Sequence, residues 1–269
     1  MHLPLPLTDA AADAAACCAR EAALRDTTIA LTRANRELEQ FTRIAAHDLQ
    51  EPLRLMTSFT ELFARRYQHL VDDTGQQYLH YALNGARQMK ALIADLLEYT
   101  QISSEFCPFE AVPLDECAQQ AARCVEALRA DCGGAIEWQT RLPIVRGHAP
   151  HLQLVFYHLL RNALLFRAGH APLVKVEASR LTDAWRIGIH DNGPGITPEY
   201  HARVFMVFQR LTRDRTHPGT GIGLALCKKI VEMHDGRIWI ESNALGGTSV
   251  LFTLPDTSED RPRSEGRLG

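Results

Sequence analysis

The sequence predicts a protein of the α + α/β class, in which a helical hairpin precedes an α/β sandwich domain. Two observations support this prediction. Apolar residues recur every seven positions between about residues 20 and 102, as they do in helices that pack along a seam. Beyond residue 112, helical patterns alternate with short apolar runs that end at Gly, Pro, Asn or Asp, which is typical of strands.

Composition supports an ordinary globular protein of one or two domains. The chain has 269 residues, of which 46% are hydrophobic and 23% are charged. Changes in composition and apolar periodicity divide the chain into five predicted segments. These are a flexible arm at 1–18, a coiled coil and helical hairpin at 19–103, a linker at 104–111, an α/β domain at 112–255 and a disordered tail at 256–269.

Charge, hydropathy and cysteine content exclude several classes of partner and location. With a net charge of −3 and no clustered basic stripe, we expect no nucleic-acid partner. We also expect no membrane insertion and a cytoplasmic location, because no run of about 18 apolar residues and no secretion signal occurs. The seven cysteines are odd in number and lack paired metal spacing, so we expect reduced thiols.

Two heptad patterns predict the helical hairpin, with the turn at "YQHLVDDTG". In the first helix the stripe consists of Leu24, Leu31, Leu38 and Ala45, with Thr27, Ala34 and Phe41. In the second helix it consists of Leu79, Ala86 and Ile93, with Ala82, Met89 and Leu96. A single hairpin cannot bury these stripes, so we expect two hairpins to form a four-helix bundle in a dimer. The alternative is a hairpin packed on its own C-terminal domain.

The α/β domain follows from a second set of patterns. We predict helices at 114–130 and 149–167. The predicted strands are "AIEWQT", "LVKVEAS", "AWRIGIH", "RIWIES" and "SVLFTLP".

Two glycine-rich stretches are candidate ligand-binding segments. "DNGPGI" follows a strand, so Asp191 lies at a strand end, where it can accept a hydrogen bond from a ligand amine. "HPGTGIGLALCKKIVEMH" puts Gly219, Gly221 and Gly223 at a helix N-terminus, which suits phosphate. The second stretch is neither a Walker loop nor a Rossmann turn, because it lacks Gly-Lys-Ser/Thr and follows a polar loop.

Six blocks together resemble the transmitter region of sensor histidine kinases, most closely the phytochrome-like branch, over about residues 30–255. They are "HDLQEPLR", "LLRNALLFR", "DNGPGI", "VFMVFQRL", "PGTGIGLALCKKIVEMHDGRIWIES" and "GGTSVLFTLP". In that family the first block is the phospho-acceptor H box, and the N, G1, F and G2 boxes of a Bergerat-type ATP-binding domain follow it. The resemblance implies a two-component kinase that autophosphorylates with ATP and passes the phosphoryl group to an aspartate of a response regulator.

The resemblance also implies roles for individual residues. His47 would be the phosphoryl acceptor, with Asp48 orienting its ring proton, and Asn162 would hold Mg²⁺. The implied ATP-binding residues are Asn162, Asp191, Gly193, Gly195, Gly219, Thr220, Gly221, Gly223, Leu224 and Thr248. The implied lid residues are Phe205 and Phe208, which would anchor the lid, and Arg210. The implied partners are a second copy and a receiver domain. Because about 30 residues before the coiled segment are too few for an input domain, we expect the signal to come from a separate sensor protein or from the arm or coil itself, unless the chain is a constitutive phosphodonor.

Helix geometry agrees with the role of His47. At about 100° per residue, His47 lies roughly 200° from Ala45 and so faces away from the seam. Pro52 has no N–H, so the carbonyl of Asp48 loses its helical partner and the helix can bend beside His47.

The sequence departs from the family in the N box and the H box. His158 replaces an asparagine and Leu165 replaces a lysine that holds phosphates, for which Arg161 can substitute because it points near the same helix face. Glu51 stands where many relatives carry Thr or Asn, so we expect weak phosphatase activity. The alternatives are a degenerate kinase acting as a dimeric scaffold or phosphotransfer partner, and an ATPase or serine kinase of the same superfamily, which would leave the H box unused.

Overall fold

The computed structural model describes residues 8–102, 108–211 and 219–256. Two long helices, α1 (Thr8–Tyr67) and α2 (Asp73–Gln101), form the predicted hairpin. The reversal uses a 3₁₀ turn at Gln68–Leu70, and the side chain of Asp72 then caps α2 by accepting a hydrogen bond from the Gly75 N–H at 2.8 Å. The helical hairpin is therefore confirmed.

Helix α1 begins earlier than composition suggested. Residues 8–18 were expected to be part of a flexible arm, but they are helical because their alanines have the highest helix propensity. Residues 1–7 lie outside the described part of the chain. Pro52 lies within α1, and the helix continues through it to Tyr67.

A small apolar cluster joins the two helices. Ala46, Leu53 and Ile93 are buried, and Ala86 and Leu97 pack against them. On α1 this cluster uses Ala46, whereas the predicted seam residue Ala45 is half-buried. The stripe residues that stay exposed are Leu24, Leu31, Leu38 and Phe41. Packing on the rest of the same chain therefore leaves most of the stripe in water.

The α/β domain contains four helices and seven strands within the described residues. The helices are α3 (Leu114–Cys124), α4 (Glu126–Cys132), α5 (Ala149–Leu165) and α6 (Gly223–Met233). The strands are β1 (Glu110–Pro113), β2 (Ala135–Trp138), β3 (Ile144–Gly147), β4 (Leu173–Arg180), β5 (Ala184–Asp191), β6 (Ile238–Ser242) and β7 (Thr248–Pro255). β1 pairs with β3, and the other five strands form a sheet of order β2-β4-β5-β7-β6, in which only β2 and β4 run parallel.

Two sequence predictions need correction in this domain. The expected linker at 104–111 overlaps β1, which begins at Glu110, while residues 103–107 lie outside the described part. Strands β1 and β3 were missed because each is only four residues long and its sequence does not alternate between apolar and polar residues. The helix predicted at 114–130 is two helices, since the backbone leaves the helical region at Val125.

Helices α3, α5 and α6 and the five-stranded sheet share one apolar core. At its centre the ring of Phe156 on α5 meets the ring of Phe252 on β7 edge-on, with centroids 5.9 Å apart. This core confirms the α/β sandwich. Beyond β7, Asp256 forms an ion pair with Arg180, and residues 257–269, which hold the rest of the predicted tail, lie outside the described part.

Two expectations from composition can be compared with the described residues. None of the described helices is both long enough and apolar enough to span a membrane. The four described cysteines with assigned side chains, Cys117, Cys124, Cys132 and Cys227, are free thiols. Burial raises the pKa of Cys117 to about 11, which keeps this thiol protonated.

His234 at the end of α6 is buried as a neutral ring. Its Nδ1 lies 2.7 Å from the Ile230 carbonyl oxygen, and its Nε2 accepts a hydrogen bond from the His148 N–H at 3.0 Å. The ring stacks on Phe109 at 4.5 Å. Burial lowers the pKa of His234 below its ordinary value, although the hydrogen bond to Ile230 opposes this effect.

Acid should therefore destabilise the fold through His234. Below about pH 6.5 residue 234 binds a proton in the unfolded chain more readily than in the folded chain, where the ring is buried. The free energy of unfolding therefore falls as pH falls. Denaturant titrations at about pH 7.5 and about pH 5.5 should show a smaller loss in His234→Gln than in wild type. His69→Gln, at an exposed position, is the matched control and should behave as wild type. Equal losses in all three proteins would contradict this role.

Candidate functional site

A cavity of about 230 Å³ lies between α5, the loop that follows β5, and the start of α6. Most of the residues predicted to bind ATP line it, although they come from four separate parts of the sequence. These are Asn162, Asp191, Gly195, Gly219, Thr220, Gly221, Gly223, Leu224 and Thr248, together with the predicted lid residue Arg210. The folded chain thus brings the N box, G1 box and G2 box positions to one concave site.

Asp191 at the end of β5 is held rigidly at one end of this cavity. Its Oδ1 accepts hydrogen bonds from the N–H groups of Gly193 at 2.8 Å and Thr248 at 2.9 Å. Burial raises the pKa of Asp191, and these two N–H donors oppose the rise. Among the described residues, none donates a hydrogen bond to Oδ2. This oxygen can therefore accept one from a ligand amine.

Gly193 does not line the cavity, contrary to the expectation that it approaches the nucleotide. It is buried, and a Cβ at this position would lie 2.4 Å from the carbonyl oxygen of Phe166. The position is therefore restricted to glycine by close packing on the chain just after α5. Its N–H nevertheless serves the site by holding Asp191.

The N-terminus of α6 also lines the cavity, through Gly223 and Leu224. No side chain caps this helix, so its first N–H groups are open to an anion. The approach to the helix turns at Gly221, which has a φ of 76°, and a Cβ there would lie 2.8 Å from the Gln209 carbonyl oxygen. Only glycine fits this left-handed and crowded position without strain.

Helix α5 lines the cavity with side chains that differ from the family pattern at positions 158 and 165. His158 and Asn162, one turn apart, both line it, as do Arg161 and Leu165, which occupies the position of the family's lysine. The His158 side chain is 9% exposed, and its Nε2 makes no hydrogen bond with any described residue. The Asn162 amide likewise makes none within the described chain, so its oxygen is available to a ligand. Arg161 therefore lines the cavity together with Leu165, as it must if it is to substitute for the family's lysine.

The predicted lid is described up to residue 211. Phe205, in the 3₁₀ turn Arg203–Phe205, packs against the domain core. Phe208 does not anchor the lid as expected, because its backbone is left-handed, with a φ of 64°, and 54% of the residue is exposed. Val204, which the sequence patterns did not indicate, is buried and lines the cavity.

The cavity meets the helical hairpin at α2. The Thr220 hydroxyl donates a hydrogen bond to Asp95 Oδ2, and Asp95 itself lines the cavity. Lys229 on α6 donates to the Tyr99 carbonyl oxygen at 2.7 Å, and its ammonium lies 4.2 Å from the centre of the Tyr99 ring. Sequence patterns missed these contacts because Asp95 and Thr220 lie 125 positions apart in the chain and share no local motif.

His47 lies on the exposed face of α1. Its side chain is 81% exposed, and Nδ1 lies 3.2 Å from Asp48 Oδ1. A carboxylate beside Nδ1 favours the tautomer with its proton there, which leaves Nε2 with a lone pair facing solvent. Its neighbour Ala46 packs with Ile93 and Leu97, which flank Asp95 on α2. His47 and the cavity are therefore at a similar height along the hairpin.

Two family models match the chain over these regions. Residues 37–105 match the model described as His Kinase A (phospho-acceptor) domain. Residues 147–258 match the model described as Histidine kinase-, DNA gyrase B-, and HSP90-like ATPase. The first range contains His47 and the second contains the cavity residues of the α/β domain.

Known proteins with both regions are similar to this chain. Cyanobacterial phytochrome A of Nostoc sp. is 38% identical over 238 residues, which are 88% of this chain but 31% of that protein. The chain thus spans about a third of this relative's length. Full-length ShkA, solved with AMPPNP, has a TM-score of 0.60 at 19% identity, covering 80% of this chain and 45% of that one. ThkA, solved with the response regulator protein TrrA, has a TM-score of 0.58 at 21% identity, covering 85% and 66%.

The structural likenesses at these identities concern the fold, whereas the two family models and the sequence relative identify the family. The chain therefore belongs to the sensor histidine kinases and carries their transmitter region, a phospho-acceptor hairpin followed by an ATPase-type α/β domain.

Proposed function

We propose that the chain is an ATP-dependent protein-histidine kinase of a two-component system, which phosphorylates its own His47 and passes the phosphoryl group to an aspartate of a receiver domain. One observation carries the proposal. The cavity is lined by the carboxylate of Asp191 and by the uncapped N-terminus of α6, and it borders the hairpin at Asp95, at the height of the exposed His47.

The cavity is complementary to ATP. Asp191 Oδ2 accepts a hydrogen bond from the exocyclic amine of adenine, while Oδ1 remains held by the backbone. The N–H groups at the start of α6 and the loop from Gly219 to Gly223 bind the phosphates. Arg161 and His158 line the same cavity and supply polar groups near the position where the family carries its lysine.

The residues present fit one Mg²⁺ ion bound together with the nucleotide. The available amide oxygen of Asn162 is a hard ligand of the kind that Mg²⁺ accepts. No group of three His, Cys, Asp or Glu side chains within the described residues could hold a metal ion alone, so phosphate oxygens and water would complete the shell. When bound, the ion neutralises phosphate charge.

The transfer itself follows from the geometry of His47. With the ring proton held on Nδ1 by Asp48, the Nε2 lone pair attacks the γ-phosphorus in line. The N–P bond forms as the bond between the γ-phosphorus and the bridging oxygen breaks, and ADP leaves with that electron pair. In the second transfer the receiver carboxylate attacks the phosphorus and His47 leaves as a neutral imidazole.

A homodimer and a receiver domain are the partners we propose. Two hairpins can bury the exposed stripe of α1 in a four-helix bundle, which one chain leaves in water. ThkA was solved with a response regulator, and we propose the same class of partner here. A separate sensor protein and a cytoplasmic location complete the proposal. Glu51 is engaged in an ion pair with Arg54 at 2.9 Å, in keeping with weak phosphatase activity.

A scaffold without kinase activity is the second candidate, favoured by one observation. Leu165 replaces the family's phosphate-binding lysine, which reduces the positive charge around the triphosphate. In that case the hairpin dimer would bind receiver domains while His47 stays unphosphorylated. Labelling of His47 distinguishes the two candidates.

The first prediction concerns the acceptor. With γ-labelled ATP and Mg²⁺, the wild-type chain should gain acid-labile, base-stable label, and His47→Gln should lose it because glutamine has no nucleophilic nitrogen. His80→Gln, an exposed histidine on α2, is the matched control and should retain the label. Label that persists in His47→Gln would contradict the assigned acceptor. Absence of label in a folded, ATP-binding wild type would favour the scaffold.

The second prediction concerns adenine recognition. Asp191→Asn keeps Oδ1 for the two backbone donors but replaces the acceptor Oδ2 with an N–H₂ donor. Adenosine affinity measured by calorimetry should fall about tenfold or more, because a buried donor on the ligand loses its acceptor. Discrimination against guanosine should fall as well, since an amide can donate to the guanine carbonyl.

Asp183→Asn provides the control for this change, because residue 183 is exposed and remote from the cavity. It should bind adenosine as wild type does. Unchanged adenosine affinity in a folded Asp191→Asn protein would show that this carboxylate does not read the base.

A further inference from the structure

We propose that Asp95 and Glu98 of α2 form an acidic latch, which closes the phosphate end of the nucleotide cavity on the hairpin and is displaced by the triphosphate of an incoming nucleotide. The proposal rests on nucleotide binding in this cavity. It adds that the hairpin and the phosphates compete for the same groups, so that the nucleotide frees the α/β domain to move.

The first observation is that Asp95 occupies the phosphate end itself. It comes from the phospho-acceptor hairpin, yet it lines the cavity of the α/β domain. Its carboxylate accepts the hydrogen bond of the Thr220 hydroxyl, which lies in the glycine-rich loop between Gly219 and Gly221. A carboxylate thus stands next to the N–H groups that would otherwise bind phosphate oxygens.

The second observation is a parallel contact one turn further along α2. Glu98 Oε2 lies 3.8 Å from His158 Nε2, the nitrogen that has no hydrogen-bond partner in the described residues. The Nδ1 side of the same imidazole lies near Gly223, where a Cβ would be 2.9 Å from Nδ1. His158 therefore lies between Glu98 and the first residue of α6.

A third contact fixes α2 in this position. Lys229 on α6 binds the Tyr99 carbonyl oxygen at 2.7 Å and lies over its ring. Residues 95–99 therefore hold the loop, α5 and α6 at three points from a single stretch of helix. A rigid helix that spans three elements can close the cavity as one body.

Electrostatics makes this latch sensitive to phosphate. The charged groups that line the cavity include Arg161 and Arg210 as well as Asp95 and Asp191, and Glu98 lies beside it. A triphosphate carries several negative charges, and at the start of α6 it would meet the carboxylates at short range in a partly dry site. Adenosine carries no such charge and occupies the Asp191 end. The latch should therefore oppose ATP but not adenosine.

The coupling acts in both directions. If the latch lowers affinity for the triphosphate, the bound triphosphate must weaken the latch by the same factor. The chain without nucleotide is then held closed on α2, while the loaded domain is released at the height of His47. This arrangement would suppress encounters between an empty domain and the acceptor.

The test is nucleotide binding by the whole chain, measured by calorimetry with AMPPNP and Mg²⁺ and, separately, with adenosine. Asp95→Asn keeps the size of the side chain and removes its charge. AMPPNP affinity should rise about fivefold to tenfold, which is the lower range of typical coupling, while adenosine affinity should change less than about twofold. Glu98→Gln should act in the same direction, and Asp73→Asn, an exposed acid on the first turn of α2, should leave both affinities unchanged.

The outcomes separate the latch from the proposed function. Weaker AMPPNP binding in Asp95→Asn would make this carboxylate part of the nucleotide site and would overturn the latch, as would unchanged binding or an equal gain for adenosine. If neither ligand binds wild type or any variant, the nucleotide site itself is wrong and the latch fails with it. Circular dichroism of each variant verifies that the helices are intact.

Discussion

The contact between residues 95–99 of α2 and the start of α6 is the interaction on which the functional arrangement depends. The proposed acceptor His47 lies on the hairpin and the proposed phosphate-binding groups lie on the α/β domain, so the proposed chemistry requires the two domains to meet. On the domain's side of this contact, Thr220 lies just before α6 and Lys229 lies within it. A phosphate bound at the start of α6 would therefore lie beside the groups that hold the hairpin.

The α/β domain holds both proposed recognition groups in place. Asp191 is held by backbone donors from both the G1 turn and β7. Helix α6 is supported by the common core of α3, α5 and the sheet. The hairpin, in contrast, buries only a small cluster around Ala46, Leu53 and Ile93, so its mostly exposed apolar surface needs a partner.

Local patterns predicted the fold class and the two glycine-rich turns, because heptads and glycine turns depend on residues close in sequence, and the family resemblance implied the rest of the predicted cavity lining. They failed where packing between distant segments decides. Asp95 enters the cavity from another domain, and Gly193 is fixed by the Phe166 carbonyl rather than by a ligand. Phe208 is exposed and has a left-handed backbone, which no local sequence motif predicts. The cluster between the two helices contains Ala46 rather than Ala45, a shift of one position that the heptad pattern does not predict.

The most direct measurement is a crystal structure of the whole chain with AMPPNP and Mg²⁺, in which the position of Asp95 relative to Thr220 is determined. The account predicts that the β- and γ-phosphates lie at the start of α6, and that the hydrogen bond from Thr220 to Asp95 in the nucleotide-free chain is broken. A structure with ordered phosphates in the cavity and this hydrogen bond intact would contradict it.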